Sequence, residues 1–102
     1  MAEAYKKQIA NSIGTTEVTL YTVPGSTTAM LIGFMLANIT SELVSATIEV
    51  GGMTFGKDIP IPAGSAVSLL DGKIVLEAAD TVKITSSTVD SLDSILGYME
   101  IT

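Results

Sequence analysis

The side chains that most often carry out catalysis are missing from this 102-residue sequence, which has no histidine, no cysteine and only five basic residues, all lysine. Catalytic triads and dyads that depend on histidine or cysteine are therefore excluded, as are disulfide bonds and cysteine zinc sites. A serine and lysine pair is chemically possible, but no spacing singles one out. Without arginine, the chain also lacks the bidentate group that many phosphate and carboxylate sites use. We expect no enzymatic activity and no cofactor.

Carboxylate pairs are the remaining candidates for acid and base chemistry. Asp90 with Asp93, and Glu77 with Asp80, are close enough in sequence to act together. Aspartate is also favoured in tight turns and at loop starts, so we assign both pairs to solvated turns. The run DSLDS at 90–94 offers oxygen ligands, but it lacks the spacing of a calcium-binding loop. We therefore expect no bound metal.

Charge and hydropathy exclude two further classes of partner. The net charge of −6 opposes binding to a phosphate backbone, so nucleic acid is not an expected partner. The first twelve residues lack the apolar segment of a secretory signal. The most apolar run, residues 29–37, is shorter than the roughly 18 to 20 residues of a membrane-spanning helix. We expect a soluble protein without a membrane partner. The sequence NIT at 38–40 matches a glycosylation sequon, which we interpret as the polar end of a strand.

Turn signals divide the chain into segments of strand length. The pairs Gly51-Gly52 and Asp71-Gly72 each separate two alternating apolar runs, which is typical of tight hairpins. From the period-two alternation we predict strands at 5–12, 16–22, 28–38, 43–50, 53–59, 66–70, 73–77, 81–86 and 92–101. This pattern predicts an all-β fold, an antiparallel β-sandwich or jelly roll of about eight or nine strands.

Three local predictions complete the architecture. Pro60 and Pro62 cannot donate ladder hydrogen bonds, so their segment should lie at a sheet edge or leave the sheet. The run SSTVDSLDSIL at 86–96 could begin a helix, but its Thr and Val favour a loop followed by a strand. Residues 1–12 are more polar than the rest, and we predict an N-terminal arm there, with a single β-sandwich domain at 13–102.

The stretch AMLIGFMLANI at 29–39 is apolar on both alternating faces. We assign to the core the large side chains of one face: Met30, Ile32, Phe34 and Leu36. The opposite face consists of Ala29, Leu31, Gly33, Met35 and Ala37. In a monomeric antiparallel sandwich that second face should be polar, so another subunit or the chain's own arm must cover it. We favour another subunit, because small residues allow close approach and methionine adapts to irregular contacts.

The last strand supports the same interpretation. Ile95, Met99 and Ile101 form one face, which we assign to the core, while the opposite face is also apolar. Two strands that are apolar on both faces indicate one contiguous patch. Our candidate interface residues are Leu31, Gly33, Met35, Leu96 and Tyr98, together with Tyr5 and Ile9 of the arm.

Three stretches carry a resemblance to a known class of proteins: LYTVPGSTTAMLIGFMLANIT, IPIPAGSAVSLLDGKIVLEAADTVKIT and SLDSILGYMEI. Over roughly residues 20–101 the chain resembles small virion structural proteins of tailed bacteriophages, those of cyanophages in particular. The resemblance implies a non-enzymatic β-sandwich in the virion, assembled in the host cytoplasm. It implies a capsid decoration or cement protein. With the apolar patch, this leads us to expect a homo-oligomer, a homotrimer. The implied partners are other copies and the major capsid protein or another virion protein. The alternative is a structural module of the neck or tail, or a carbohydrate-binding receptor module at the tail tip.

Overall fold

A computed structural model describes residues 3–69 and 73–102 of the chain. All regular secondary structure in these ranges is β. The strands are β1 (Glu3–Ile13), β2 (Val18–Thr22), β3 (Thr28–Asn38), β4 (Val44–Val50), β5 (Met53–Ile61), β6 (Ala66–Ser68), β7 (Ile74–Leu76), β8 (Thr81–Ser86) and β9 (Leu92–Ile101). Each differs from its predicted segment by at most two residues at either end.

The strands form two antiparallel sheets that pack face to face. The five-stranded sheet has the order β1-β9-β3-β6, and β7 also pairs with β3, so β6 and β7 follow each other along the same side of that strand. The four-stranded sheet has the order β2-β8-β4-β5. The predicted all-β antiparallel sandwich is confirmed.

The turn and edge predictions are also confirmed where the structure describes them. Gly51 and Gly52 have φ angles of +60° and +83°, as a two-residue type I′ hairpin between β4 and β5 requires. Pro60 lies in β5, an edge strand of the four-stranded sheet. The segment before Leu92 is a loop, and β9 starts at that residue. The predicted hairpin at Asp71-Gly72 lies outside the described residues.

The core fills the space between the sheets with aliphatic side chains, Phe34 and two tyrosines. The five-stranded sheet contributes Ala29, Leu31, Phe34, Leu36, Leu92, Leu96 and Tyr98. The four-stranded sheet contributes Leu20, Tyr21, Val44, Ala46, Ile48, Val82 and Ile84.

Because β3 contains a β-bulge, several side chains of the stretch at 29–39 face the side opposite to the predicted one. Leu31 pairs with Tyr98 and Gly33 pairs with Gly97, so Ile32 is an extra residue without a place in the β9 ladder. The extra residue reverses the alternation: odd-numbered residues face the core before it, and even-numbered residues face the core after it. Ala29 and Leu31 before the bulge, and Phe34 and Leu36 after it, are all buried. Met30 and Ile32, assigned above to the core, instead lie on the outward side, and Leu31 is a core residue.

The orientation of β9 is also opposite to the one predicted. Leu96 and Tyr98 face the core, whereas Ile95 points outward and is 43% exposed. The strand holds this orientation although it also turns Glu100 inward, where the carboxylate is buried. A buried charge requires compensating partners, and these are present.

The N-terminal segment forms the edge strand β1, which pairs with β9 of the same chain. It lies beside β9 and leaves the outward surface of the sheet uncovered. The strand becomes irregular between Ala10 and Ile13, where the register shifts and Ser12 has a φ of 54°. Every side chain from Glu3 to Ile9 is exposed, so most of β1 adds little to the core.

Candidate interaction surface

The outward surface of the five-stranded sheet carries two rows of mostly apolar side chains that run across the strands. The first row consists of the neighbouring residues Tyr5, Met99, Met30 and Val75. The second row consists of Ile9, Ile95, Met35 and Ser68. We call this surface the apolar face. Its exposed large side chains are Tyr5, Ile9, Ile32, Met35, Val75 and Ile95.

A glycine pair lies between the two rows. Gly33 and Gly97 are cross-strand partners, and neither has a positive φ. A Cβ atom on Gly33 would meet nothing within 4 Å, and one on Gly97 would make an ordinary contact of 3.8 Å with Ile32 Cγ1. Glycine in a strand destabilises it by roughly 0.5–1 kcal/mol relative to alanine. Gly33 adjoins the bulge at Ile32, and glycine within a strand often marks a bulge or a place where another molecule approaches the backbone closely. The bulge does not account for Gly97, which has room for a Cβ atom.

The second row borders an open depression of about 270 Å³, lined mainly by apolar atoms of Ile9, Met35, Ala37 and Ile95. The apolar face therefore has two hollows, this depression and the trough above the glycine pair, into which another surface could fit. Lys7, the β1 neighbour of Gly97, lies on the same face between the two rows. A largely apolar exposed patch of this kind is uncommon on a monomeric protein and is typical of interaction sites.

The structure separates the seven predicted interface residues into two groups. Four lie on the apolar face: Tyr5, Ile9, Gly33 and Met35. The other three are core residues and are corrected accordingly: Leu31, Leu96 and Tyr98. Ile32 and Ile95, predicted as core, are exposed on the face in their place.

A polar cluster on the inner side of β1 was not predicted from the sequence. The Tyr21 hydroxyl donates to Glu100 Oε2 at 2.6 Å, and Lys6 Nζ lies 2.7 Å from Glu100 Oε1. Gln8 Nε2 donates to the Tyr98 hydroxyl at 3.1 Å. The rings of Tyr21 and Tyr98 are in contact, with centroids 4.1 Å apart. The cluster joins the edge strand β1 to both sheets, because Tyr21 belongs to β2.

The electrostatics of this cluster indicate a structural role. The ion pair and hydrogen bond from Lys6, with the hydrogen bond from Tyr21, lower the pKa of Glu100. Burial raises the pKa of the Tyr21 phenol, and the hydrogen bond to Glu100 raises it further. The hydrogen bond and the charge of Glu100 raise the pKa of Lys6. A nucleophilic lysine or phenol needs a lowered pKa, so both shifts oppose catalysis. Lys6 thus pairs with a carboxylate of its own chain.

Glu77 and Asp80 lie at a turn, as predicted, whereas Asp93 of the other carboxylate pair lies in β9 and not in a turn. Asp80 Oδ2 accepts a hydrogen bond from the backbone N–H of Glu77 at 2.9 Å. Asp93 Oδ1 accepts one from the N–H of Ser12, also at 2.9 Å. Within residues 3–69 and 73–102, no group of three or more acidic, histidine or cysteine side chains could hold a metal ion.

Asn38, the asparagine of the NIT sequon, holds the loop that follows β3. Asn38 is buried at the end of β3, and its amide donates to the carbonyl oxygens of Glu42 and Ile61. Its side-chain oxygen accepts from Thr40. These bonds support its interpretation as a polar strand end.

Sugar recognition would require exposed aromatic rings, and the described residues offer few. Tyr21, Phe34 and Tyr98 are buried, whereas Tyr5 is 75% exposed. In the same residues, no helix is long and apolar enough to cross a membrane.

No protein-family model and no curated protein sequence matches the chain. Several solved structures resemble its fold. One is from the work "Bacillus endospore appendages form a novel family of disulfide-linked pili": the TM-score is 0.56 at 18% identity, over 98% of this chain and 88% of that one. Another is the nucleoplasmin-like N-terminal domain of Drosophila FKBP39, with a TM-score of 0.52 at 12% identity, over 96% of this chain and 91% of that one. A chain of infectious bursal disease virus, Gx strain, gives 0.44 at 15% identity, over 96% of this chain but only 28% of its own.

At these identities the first two similarities establish the fold alone. They define a small antiparallel β-sandwich, to which this chain adds an uncovered apolar face. The pili are described as disulfide-linked, a linkage that this cysteine-free chain cannot form.

Proposed function

We propose that this chain is a structural protein of a phage particle, a capsid decoration protein that binds the outer capsid surface as an oligomer and stabilises capsomer contacts. The observation that carries this proposal is the apolar face with its glycine trough. The resemblance of residues 20–101 to phage virion proteins supplies the setting, that is, a virion component assembled in the host cytoplasm.

The apolar face fits a second copy of the same chain. The protein has a net charge of −6, so copies repel each other unless they meet through an uncharged surface. The two rows and the glycine pair supply most of such a surface, because none of these residues carries a charge, and Lys7 is the one charged residue of β1 that lies between the rows. Burial of apolar area contributes about 25 cal/mol per Å², so covering several hundred Å² would stabilise the pair by several kcal/mol. The arrangement we propose is a closed ring of three copies, in which the apolar faces meet around the three-fold axis.

Attachment to the capsid should also rest on apolar and backbone contacts. Exposed ion pairs contribute only about 0 to 1 kcal/mol each, and an acidic body gains little from them unless the shell is basic. The major capsid protein, or another virion protein, is the proposed partner. A wash at about 1 M salt, where the Debye length is about 3 Å, should therefore release little of the protein.

Cryo-electron microscopy of purified particles tests this proposal directly. We expect density for the sandwich on the outer capsid surface, with the apolar faces of neighbouring copies buried against each other. Density confined to the neck or tail would contradict the decoration role and favour the alternative, a tail structural module. A tip module that binds carbohydrate is disfavoured by the burial of Tyr21, Phe34 and Tyr98. Glycan-array binding together with tip density would establish it.

A further inference from the structure

The free edge of β1 differs from the other sheet edges. The opposite side of the five-stranded sheet ends in β6 and β7, which are three residues long each. The four-stranded sheet ends in β2, with five residues and a register irregularity, and in β5, which contains Pro60 and two irregularities along its pairing with β4. Shortness, proline, bulges and charged side chains are the usual means by which proteins protect sheet edges from pairing with other chains.

Of these protections, most of β1 has only charged side chains, those of Glu3, Lys6 and Lys7. From Glu3 to Ala10 its pairing with β9 is regular, and the segment has no proline. As the terminal strand of the sheet, it presents one row of backbone groups away from β9. Such an edge is suited to strand addition, in which main-chain hydrogen bonds provide affinity and alternate side chains provide selectivity.

The charges along β1 select one way for two copies to pair. When two identical edges pair antiparallel around a two-fold axis, each residue lies opposite its mirror position about the central residue. A centre at Lys6 or at Lys7 places identical lysines directly opposite each other, which is destabilising. A centre at Gln8 compensates no charge. A centre at Tyr5 places Glu3 of each copy opposite Lys7 of the other and brings the two Tyr5 rings together.

We propose that β1 adds to β1 of a second copy in this antiparallel register, centred on Tyr5. The two five-stranded sheets then form one continuous sheet, and their apolar faces lie on the same side. The described overlap is short, residues 3–7, and buries less than the roughly 1,000 Å² of a stable interface. The contact is therefore weak for free proteins and strengthens where a shared surface holds two copies together. It is independent of the virion role proposed above.

Disulfide trapping tests the register, because the natural chain has no cysteine. Directly opposite residues of an antiparallel pair have Cα atoms about 4.5–5.5 Å apart, within the range that a disulfide can bridge. We expect Tyr5→Cys to form covalent dimers under mild oxidation at least about tenfold faster than Val89→Cys, a loop position that is 65% exposed. Equal rates for these two variants, or faster trapping of Gln8→Cys, would overturn the proposal.

A charge swap in the Tyr5→Cys background tests the same register independently. Cross-strand charge pairs are worth about 0.2–1 kcal/mol each, so two symmetric pairs converted to repulsion should slow trapping about tenfold. Lys7→Glu has this effect in the proposed register, and Lys57→Glu on β5 is the control for the same change in net charge. Glu3→Lys combined with Lys7→Glu should restore the original rate. Equal slowing by the two single variants, or no recovery in the swap, would rule out the Glu3–Lys7 contact, because these residues do not face each other within one chain.

Discussion

Gly33 and Gly97 lie directly opposite each other on β3 and β9, at the centre of a mostly apolar surface, and each has room for a Cβ atom and a φ that is not positive. The pair leaves a trough of bare backbone between two rows of larger side chains. The simplest physical account is a requirement imposed by a partner, since glycine lowers the stability of a strand and adds no packing.

Gly33→Thr should therefore separate folding from association. Its Cβ has open space, and threonine favours strands, so we expect the free energy of unfolding to rise by up to about 1 kcal/mol. The filled trough should at the same time prevent self-association. Urea unfolding and sedimentation velocity measure the two effects. Gly56→Ala is the contrasting variant, because its Cβ would collide with the Ile59 side chain. A Gly33→Thr protein that associates normally would show that no partner approaches the trough.

Met35→Glu should disrupt the proposed contact between copies. Met35 is 44% exposed, so the folded monomer should tolerate a charge there, whereas a buried interface would not. We expect native mass spectrometry to show monomers, with association weakened by several kcal/mol. Met53→Glu provides a matched control, since Met53 is 61% exposed and lies on the other sheet. An unchanged native mass for Met35→Glu would contradict the role of the apolar face.

The strand pattern was predictable because it depends on local alternation and turn chemistry. Gly51-Gly52 fixes one hairpin by its own backbone preference, and Pro60 marks a sheet edge wherever it lies. These signals need no knowledge of tertiary contacts. The presence of a surplus apolar surface was predictable for a similar reason, since two strands carried more apolar side chains than one core could bury.

The identity of the residues on that surface was not predictable, because it depends on long-range contacts. A single bulge at Ile32 exchanges the faces of β3 for the residues before it, and its one local signal is the neighbouring Gly33. The side chains of β9 that face the core include that of Glu100. This carboxylate can be buried because Lys6 and Tyr21 reach it from other strands. A charged residue in a terminal strand would ordinarily be placed outside.

Ser94 offers a test of the interior of β9. Its hydroxyl is buried and makes no hydrogen bond within the described residues. A buried polar group without a partner costs about 1–3 kcal/mol, so Ser94→Ala should raise the free energy of unfolding, by roughly 1 kcal/mol after the loss of packing. Urea unfolding at neutral pH measures the change. Ser91→Ala is the control and should destabilise, because the Ser91 hydroxyl is bonded to the Thr88 carbonyl at 2.7 Å. Destabilisation by Ser94→Ala would indicate that a bound water satisfies the hydroxyl.

The polar cluster should make stability depend on pH at the acid end. Lys6 and Tyr21 hold the pKa of Glu100 below its ordinary value in the folded chain. The stabilisation that follows is complete above the unfolded pKa, about 4.3, and is lost as the pH falls through the lower folded pKa. We expect the free energy of unfolding, measured with urea between about pH 3 and 7, to decrease as the pH falls below about 4.3.

Variants of the same cluster assign this pH dependence to Glu100. Glu100→Gln should reduce the decrease in the free energy of unfolding at low pH. Glu42→Gln, at an exposed loop carboxylate, controls for the loss of one charge. Tyr21→Phe removes a hydrogen bond to a charged group and should lower stability at neutral pH by about 1.5–3 kcal/mol. It should also shift the acid decrease to higher pH, because Glu100 then keeps only the stabilisation from Lys6. An acid profile that is the same in Glu100→Gln and in the unmodified protein would show that other carboxylates control it.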